Sequence, residues 1–409
     1  MNSERQTVMI IGGGISGLTA ACDLADYDLN IHLVEREPFL GGHAIAYNCK
    51  ATDECRQCDA CTVEKILKQV LEHPNITVHR GTRVVDISGQ APYILTLEQS
   101  PLFDSEQEQA VLAQHYPTCP VPNGIQRGTS PSHQPLFAVN PSKLTELAAC
   151  LNDPGLDLAQ QPNRRTVSAQ SIIVASGFAP FDAEQKTTYN YGRLSNVVTA
   201  LDMELLKKET GRYLRPTDHA SPRKAAFIQC VGSRNEQLGH LWCSHVCCSY
   251  ALRMAEVMKS QEPDMEICVY YMDIQNVGKE SPLFYNQCRE DMEFIRSIPV
   301  DIYSADNDHL LVSTLDEKDG SLHYREHDVI ILSVGIMPGE DNPSLARLLG
   351  LDLTGDGFFR VQNELDSTST AQPGVYLAGT TTGPKSIAQS IAHTGLAVRQ
   401  AAKYLGVCT

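Results

Sequence analysis

Two groups of cysteines are the residues of this chain best suited to chemistry. The later group comprises Cys230, Cys243, Cys247 and Cys248, with the spacing C-x12-C-x3-C-C. Adjacent cysteines are poorly placed to bond to each other, but a tight turn can direct both thiolates at one metal centre. Because soft thiolates select iron–sulfur clusters or zinc, this group predicts a 4Fe–4S cluster. Zinc, or a redox disulfide beside buried thiols, is the alternative.

The earlier group has the spacing C-x5-C-x2-C-x2-C and comprises Cys49, Cys55, Cys58 and Cys61. Its x2 spacings resemble the ligand run of ferredoxins, in which a short loop wraps around one cluster. We expect a second 4Fe–4S cluster here, while a structural zinc site and unligated thiols stay open. Asp53 or Asp59 could supply an oxygen ligand if one cysteine is spared.

A glycine turn near the start of the chain predicts a dinucleotide site. Residues 12–17 read G-G-G-I-S-G, in which Gly12 permits a tight turn and Gly14 lets a pyrophosphate approach the backbone. Gly17 lets helix and strand pack closely, and the helix N-terminus offers free N–H groups to the phosphates. Glu35 closes the next strand about 20 residues on, where a carboxylate can bind ribose hydroxyls.

Two later features favour FAD over NAD. Gly41-Gly42 follows Glu35 as in flavoproteins with two dinucleotide-binding domains, and residues 374–379 resemble the C-terminal flavin motif of that superfamily. The acidic residue that often follows this motif is replaced by Thr380, so a threonine hydroxyl or a backbone N–H would contact the ribityl chain. The helix from Ser386 could direct its dipole at the flavin. The residues expected to bind FAD are Gly12, Gly14, Ile15, Ser16, Gly17, Glu35, Arg36, Gly41, Gly42, Ala175, Gly177, Gly379 and Thr380.

The apolar runs around these residues indicate two strand–turn–helix–strand units. Strands at 8–11 and 30–34 flank the glycine turn, whereas strands at 224–230 and 266–272 flank the later cysteines. The fold class is therefore α/β, with two Rossmann-like dinucleotide-binding domains as in thioredoxin-reductase-like flavoproteins, the second inserted into the first. The later cysteines stand where the second domain would bind NAD(P). Further expected elements are helices at 62–73, 247–259 and 386–405 and strands at 76–79, 84–87, 167–174, 329–334 and 375–379.

The predicted domain boundaries follow from these elements. Residues 1–198 form the first part of the FAD-binding domain, 199–338 the second domain and 339–409 the C-terminal part of the first. The cysteine segment 49–61 and residues 99–141 interrupt the first part. Residues 99–141 are rich in Pro, Gln, Ser and His without a stable period, which predicts an irregular insertion.

Composition and charge narrow the classes of function. The chain has 409 residues, a formal net charge of −16 and a pI of about 5.2, whereas nucleic-acid-binding proteins are typically basic. No apolar run reaches the roughly 18–20 residues that span a bilayer, and the polar start of the chain is not typical of a secretory signal. Clustered cysteines in a chain of this length favour a reducing compartment, so we expect a cytoplasmic protein.

Four stretches together resemble the A-type subunit of heterodisulfide reductase. The C-x12-C-x3-C-C arrangement is the most specific of them, and Tyr271–Ile274 also fits the family. The methanogen-type form is longer and carries ferredoxin modules. The short form is similar to that of heterodisulfide-reductase-like complexes in sulfur oxidisers, which the earlier cysteine group favours, and to the flavoprotein of the quinone-interacting oxidoreductase of sulfate reducers. The four stretches are Gly12–Gly17 with Glu35, Cys49–Ile76, Cys230–Cys248 and Asp356–Lys385.

The resemblance implies an oxidoreductase subunit with one FAD and two 4Fe–4S clusters, which transfers electrons in sulfur or thiol/disulfide metabolism. It implies no catalytic acid, base or nucleophile in this chain, because thiol chemistry would reside on another subunit. Expected partners are iron–sulfur and disulfide-active subunits and a second copy of the chain, with membrane association only through partners. The alternatives are an NAD(P)H-dependent disulfide reductase and an assembly subunit that keeps its cofactors for structure alone.

Overall fold

The structure is a computed structural model and describes residues 5–129, 135–151, 153–275, 281–316 and 318–408. Its helices are α1 (Ile15–Ala25), α2 (Ala60–Glu72), α3 (Glu106–His115), α4 (Leu144–Cys150), α5 (Ala200–Thr210), α6 (Cys247–Gln261), α7 (Ser281–Asp291), α8 (Asn342–Leu349) and α9 (Ile387–Tyr404). Its strands are β1 (Thr7–Ile11), β2 (Asn30–Val34), β3 (Ile76–His79), β4 (Thr82–Ser88), β5 (Tyr93–Gln99), β6 (Ile125–Thr129), β7 (Pro135–Val139), β8 (Asn163–Ala169), β9 (Ser171–Val174), β10 (Phe178–Pro180), β11 (Val197–Thr199), β12 (Lys224–Val231), β13 (Glu266–Tyr270), β14 (Glu293–Ile295), β15 (Asp301–Ser304), β16 (Leu310–Leu315), β17 (Leu322–His327), β18 (Val329–Val334), β19 (Ile336–Pro338) and β20 (Val375–Leu377).

The first unit is built on a parallel sheet with the strand order β20-β9-β1-β2-β3. Its central strand β1 is apolar on both faces because both faces are covered. On one face, Val8 and Ile10 pack with α1, α2 and α9. On the other face, Met9 packs against the antiparallel sheet β4-β5-β8. The glycine turn after β1 therefore starts from the central strand of the sheet, which is buried on both faces.

The second unit repeats this layering with the parallel strand order β11-β18-β12-β13-β14. Phe227 and Ile331 face the helices α5, α6 and α7, while Ile228 and Leu332 face the antiparallel sheet β15-β16-β17. Its strands lie in sequence between β9 and β20 of the first sheet, and β10 pairs with β19 where the chain passes between the units. The prediction of two Rossmann-like units, the second inserted into the first, is confirmed, whereas the exact boundaries 1–198, 199–338 and 339–409 stay predictions.

The single strand predicted at 167–174 is wrong, because β8 and β9 belong to different sheets. The chain changes layer at Gln170, whose N–H donates to Thr7 O at 2.9 Å. The Gln170 side-chain oxygen in turn accepts from Thr7 N at 2.7 Å. Both contacts anchor the crossing point to the start of β1.

The expectation of an irregular insertion at 99–141 is also wrong for the residues that the structure describes there. Ser105 and Glu108 form a capping box that starts α3, and β6 pairs with β7. Together with α4 these elements form what we call the inserted subdomain, residues 103–158, of which 130–134 and 152 lie outside the described residues. Its own small core consists of Phe103, Leu112, Val121, Ile125, Val139, Leu147, Leu156 and Leu158.

No helix within the described ranges is both long and apolar enough to cross a bilayer.

Two histidines, the buried His79 and the half-buried His32, connect β2 and β3 to β8. Arg165 can only donate, so His79 Nδ1 accepts from its guanidinium. His79 Nε2 then donates to His32 Nδ1 at 2.8 Å, and this chain of bonds requires both rings to be neutral. Burial, reinforced by the positive charge of Arg165, lowers the pKa of His79 to about 4 and lowers the pKa of His32 as well.

Acidification is therefore expected to destabilise the first unit. The unfolded chain takes up these protons near about pH 6.5, whereas folded His79, with its pKa of about 4, stays neutral until lower pH. The free energy of unfolding should fall as pH falls through this window. His79→Gln keeps a neutral donor and acceptor but cannot titrate. Its free energy of unfolding should therefore fall less on acidification than that of the wild-type protein. Urea unfolding of both proteins at about pH 7 and about pH 5 measures the difference; equal losses would contradict the assignment.

Candidate functional site

The glycine turn between β1 and α1 has no room for side chains at two positions. A Cβ on Gly12, whose φ is +111°, would lie 2.2 Å from Ala175 O, and a Cβ on Gly17 would lie 1.7 Å from Gly12 O. By contrast, a Cβ on Gly14 would meet only Gly42 Cα, at 3.9 Å. Gly14 caps α1 without a side-chain hydrogen bond. The first N–H groups of α1 have no acceptor within the helix and are suited to bind phosphate oxygens.

Glu35 follows β2 and closes this turn from the other side. Its carboxylate accepts from Gly13 N at 2.6 Å and from Glu37 N at 2.8 Å. Burial raises the pKa of Glu35, and the two backbone N–H bonds oppose that rise. Arg36 next to it bonds Asp341 at 2.7 Å, which ties this end of β2 to the start of α8.

Three further glycines shape the wall opposite α1. Gly41, with φ of +104°, donates its N–H to Gly13 O at 2.8 Å. Gly42 approaches Gly14, and Gly177, with φ of +76°, has no atom within 4 Å of an added Cβ. The open space at Gly177 is what a ligand approaching the backbone would need.

The C-terminal motif packs directly on α1. A Cβ on Gly379, with φ of +66°, would lie 1.9 Å from Ser16 Oγ. The Gly379 N–H donates to His393 Nδ1 at 3.0 Å. Among the threonines that stand in place of the acidic residue, Thr381 donates its hydroxyl to Ala378 O at 2.9 Å, and Thr380 faces the cavity described next.

These parts enclose one cavity of about 1120 Å³. Its volume exceeds the roughly 300–1,000 Å³ of typical small-molecule pockets, as a dinucleotide requires. Gly12, Gly17 and Gly379 lie behind its wall and fix the positions of the lining residues. The predicted FAD-binding residues that line the cavity are Gly14, Ile15, Ser16, Glu35, Arg36, Gly41, Gly42, Ala175, Gly177 and Thr380.

Sequence reasoning missed three contributions to this wall. Residues of the inserted subdomain between Tyr116 and Gly128 line the cavity, as do Tyr250 and Arg253 of α6. Lys385 lines it as well, and burial lowers the pKa of its ammonium to about 8. Its position directly before Ser386, which caps α9, was a signal available in the sequence.

The later cysteines surround the turn between β12 and α6. Cys230 is in β12, while Cys247 and Cys248 begin α6. The turn is unusually shaped, because Cys230, Arg234 and His245 have φ of 59°, 53° and 62° without being glycines. Arg234 bonds Asp273 at 3.0 Å, which places a cation beside the thiols.

The four thiols of the later group interact with one another. Burial, together with Cys248 and Cys243, raises the pKa of Cys230 to about 11. Burial likewise raises the pKa of Cys247, with Cys248, Cys230 and Cys243 contributing. Protonated thiols become ligands when a metal ion displaces their protons, so the donor set suits a soft metal centre. In the described part of the chain, no three His, Cys, Asp or Glu side chains are yet arranged to hold a metal ion, and the ligand assignment stays a prediction.

Three of the earlier cysteines lie on the loop that leads into α2, and Cys61 lies in the first turn of that helix. Cys49, Cys55 and Cys61 are exposed, and Cys58 is half-buried at the cavity wall. Each of the four is a free thiol in the structure. Non-glycine residues with positive φ, Gln57 at 47° and Asp59 at 60°, give this loop its tight shape. The structure places these thiols on one short loop and the helix turn that follows it, but leaves their ligation untested.

A phenyl ring lies where the second unit would receive a pyrophosphate. Gly232 follows β12, as a loop glycine would, with φ of +82°. A Cβ there would lie 2.0 Å from Cγ of Phe181, which is only 3% exposed. The close approach that glycine permits is therefore taken by a buried side chain of the protein and is closed to a nucleotide phosphate.

Comparison with solved structures shows the fold. Thioredoxin reductase from T. acidophilum superposes with a TM-score of 0.57 at 13% identity, covering 98% of this chain and 99% of that one. Thioredoxin reductase from Lactococcus lactis gives 0.56 at 14% identity, with coverage of 98% and 99%. A family model described as an NAD(P)-binding Rossmann-like domain matches residues 10–61. The predicted thioredoxin-reductase-like fold is confirmed.

The curated relatives are A-type subunits of heterodisulfide reductases. The second iron-sulfur A-type subunit of the CoB–CoM heterodisulfide reductase of Methanopyrus kandleri is 31% identical over 421 residues, covering 97% of this chain and 64% of the relative. The corresponding iron-sulfur A-type subunit of Methanocaldococcus jannaschii is 32% identical over 414 residues, covering 95% and 62%. The chain thus spans less than two thirds of the length of these relatives. This similarity runs along almost all of this chain, so heterodisulfide reductase A-type subunits are its relatives.

Proposed function

We propose that this chain is the FAD- and 4Fe–4S-containing electron-transfer subunit of a heterodisulfide-reductase-like complex, an oxidoreductase of sulfur or thiol/disulfide metabolism. The single observation that carries the proposal is the turn after β12. Cysteines surround this turn, and Phe181 fills the approach at Gly232. A nicotinamide nucleotide bound in the usual way at this turn would need that space. Electron transfer through a metal cluster therefore fits the second unit better than hydride transfer from a nucleotide.

The residues of the first unit fit FAD. The N–H groups of Ile15 and Ser16 would bind the pyrophosphate, and Glu35 would accept from the ribose hydroxyls of the adenosine. Lys385, held by Thr382 Oγ1 at 2.8 Å, would place a positive charge at the cavity wall and favour negative charge on a bound group. When bound, FAD supplies two-electron chemistry and 4Fe–4S clusters supply one-electron chemistry.

The two cysteine groups would hold one 4Fe–4S cluster each. Cys230, Cys243, Cys247 and Cys248 would ligate one, and the α6 N-terminus with Arg234 would stabilise its negative charge. Cys49, Cys55, Cys58 and Cys61 would ligate the other. Since relatives are named as A-type subunits of heterodisulfide reductases, we also propose cytoplasmic partners that carry iron–sulfur and disulfide chemistry, and a homodimer. The earlier cysteine group favours the complex of sulfur oxidisers over a quinone-interacting oxidoreductase.

Metal and flavin analysis of this chain, purified and separated from its partners, tests this function. About 8 Fe per FAD is expected, because each of two clusters holds four iron atoms. NADPH alone should leave the flavin of the isolated chain oxidised. A preparation without iron whose flavin is reduced by NADPH would instead identify a pyridine-nucleotide-dependent disulfide reductase. Iron-loaded protein whose flavin is not reoxidised by its cluster partners would indicate an assembly role.

A further inference from the structure

A fully buried carboxylate joins the two units beside the earlier cysteine group. Glu204 of α5 is 0% exposed, and Lys50, its ion-pair partner, is 2% exposed. Lys50 Nζ lies 2.5 Å from Glu204 Oε1, so the pair balances its charge inside the protein. Removing one partner of such a pair strongly destabilises the folded protein, because the other partner is then buried without a counter-charge.

Every hydrogen-bonding group aimed at this carboxylate is a donor. Oε2 accepts from Asn48 N at 2.9 Å and from Asn48 Nδ2 at 2.7 Å. Oε1 accepts from Tyr250 OH at 2.9 Å in addition to Lys50. An ionised carboxylate is an acceptor only, so Glu204 matches a set of donors that a neutral amide could satisfy only in part.

The donors flank the cysteines of both groups. Asn48 and Lys50 stand on either side of Cys49. Lys50 Nζ also donates to Asn48 O at 2.8 Å, so this hydrogen bond spans Cys49. Cys49 itself is exposed. Tyr250 lies two residues after Cys248 in α6, and its ring is 5.4 Å from that of Tyr47.

The other bridges along this contact are more exposed. Arg56, whose side chain is 25% exposed, bonds Glu256 of α6, whose side chain is 19% exposed. Lys208 of α5, whose side chain is 20% exposed, lies 3.8 Å from Glu64, whose side chain is 33% exposed. Solvent weakens such pairs, so the buried contact at Glu204 is expected to hold the loop more firmly than they do.

We propose that Glu204 is a positioning residue for the earlier cysteine group. It holds the backbone on both sides of Cys49 against the helix that starts with Cys247 and Cys248, so that the two cluster sites keep one fixed spatial relation. This inference rests on the proposed function, because it requires a cluster at the earlier group.

Glu204→Gln is the direct test. The glutamine amide keeps the size of the side chain but replaces one accepting oxygen with a donating NH2 group. That group must face the donors of either Asn48 or the Lys50 and Tyr250 pair. We expect iron in the reconstituted protein to fall from about 8 to about 4 per FAD, with FAD retained. The EPR signal assigned to the later group by its own cysteine variants should persist.

Lys50→Met combined with Glu204→Gln is the rescue. Methionine fills the space of the lysine stem, the introduced glutamine can accept from Asn48, and its amide can donate to the Tyr250 oxygen. If position is what Glu204 supplies, this double variant recovers about 8 Fe per FAD and the EPR signal of the earlier group. It also decides the matter if Glu204→Gln alone fails to fold.

Glu209→Gln on the same helix is the matched control, because its carboxylate is 44% exposed. It should keep full iron content and the wild-type midpoint potential of the earlier cluster. Full iron content with unchanged potential in Glu204→Gln would overturn the inference, as would a folded double variant that stays at half iron. Wild-type protein without a cluster at the earlier group would instead overturn the proposed function, so the two failures are distinguishable.

Discussion

Cys248→Ala is expected to halve the iron content of the purified chain, from about 8 to about 4 Fe per FAD. Cys248 begins α6 and is 5% exposed, so no solvent-borne ligand can easily replace its thiolate. The flavin should remain, because the glycine turn that would bind it follows β1 of the other sheet. Iron analysis, flavin absorbance and EPR of the reduced protein measure the outcome.

Cys288→Ala provides the control for Cys248→Ala. Cys288 is a buried thiol of the same unit, 3% exposed on α7, and packs in the helical core. Its loss should leave both iron and flavin unchanged. If Cys248→Ala retains full iron, the ligand assignment is wrong; if iron and flavin leave together, the two sites are not independent.

Gly17→Ala is expected to weaken flavin binding in a chain that still folds. The new Cβ would lie 1.7 Å from Gly12 O, and backbone cannot move aside as a flexible side chain could. α1 must therefore shift away from the turn, and its first N–H groups, which would bind the phosphates, shift with it. Overpacking typically costs about 1–3 kcal/mol, so FAD affinity should fall by about tenfold or more. Flavin titration of the apoprotein, followed by fluorescence, measures the change.

Gly395→Ala is the matched control for this change. Gly395 also lies inside a helix, α9, but nothing lies within 4 Å of an added Cβ. Alanine there should leave flavin affinity unchanged and raise the free energy of unfolding by about 0.5–1 kcal/mol, since glycine is unfavourable within helices. Equal flavin loss in both variants would show that the Gly17–Gly12 contact is not what secures the site.

The parallel sheets could be predicted from the sequence because their strands are short apolar runs between turn residues. β2, β3 and β18 have the predicted bounds, and α6 begins at Cys247 as expected. A strand buried on both faces needs no periodic pattern, only a run of apolar residues. The predicted cavity residues followed from the same regularity, since they stand at the ends of such strands.

The inserted subdomain could not be predicted in the same way. Its core residues, such as Phe103, Leu112 and Leu147, are far apart in sequence and meet only in the folded chain. One local signal was present, the Ser105 and Glu108 pair of a capping box. The walls that this subdomain and α6 add to the cavity depend on tertiary contacts, which a single sequence does not reveal.

Glu204 illustrates the same limit. In sequence it is one of several charged residues on α5, where exposure is the ordinary expectation for glutamate. Its burial follows from contacts with Asn48, 156 positions away, and with Lys50. The burial of a charged residue can be predicted only when the residue that carries the opposite charge beside it is known.

The ion pair at Glu204 also limits how the molecule can move. The chain passes between the units through β10 and β19, a two-stranded connection of the kind that could serve as a hinge. Swinging the second unit about it would pull Glu204 from Lys50 and leave opposite charges unpaired in a dry interior. The two units are therefore expected to move as one rigid body, and the proposed redox partners would have to bind at fixed sites on its surface.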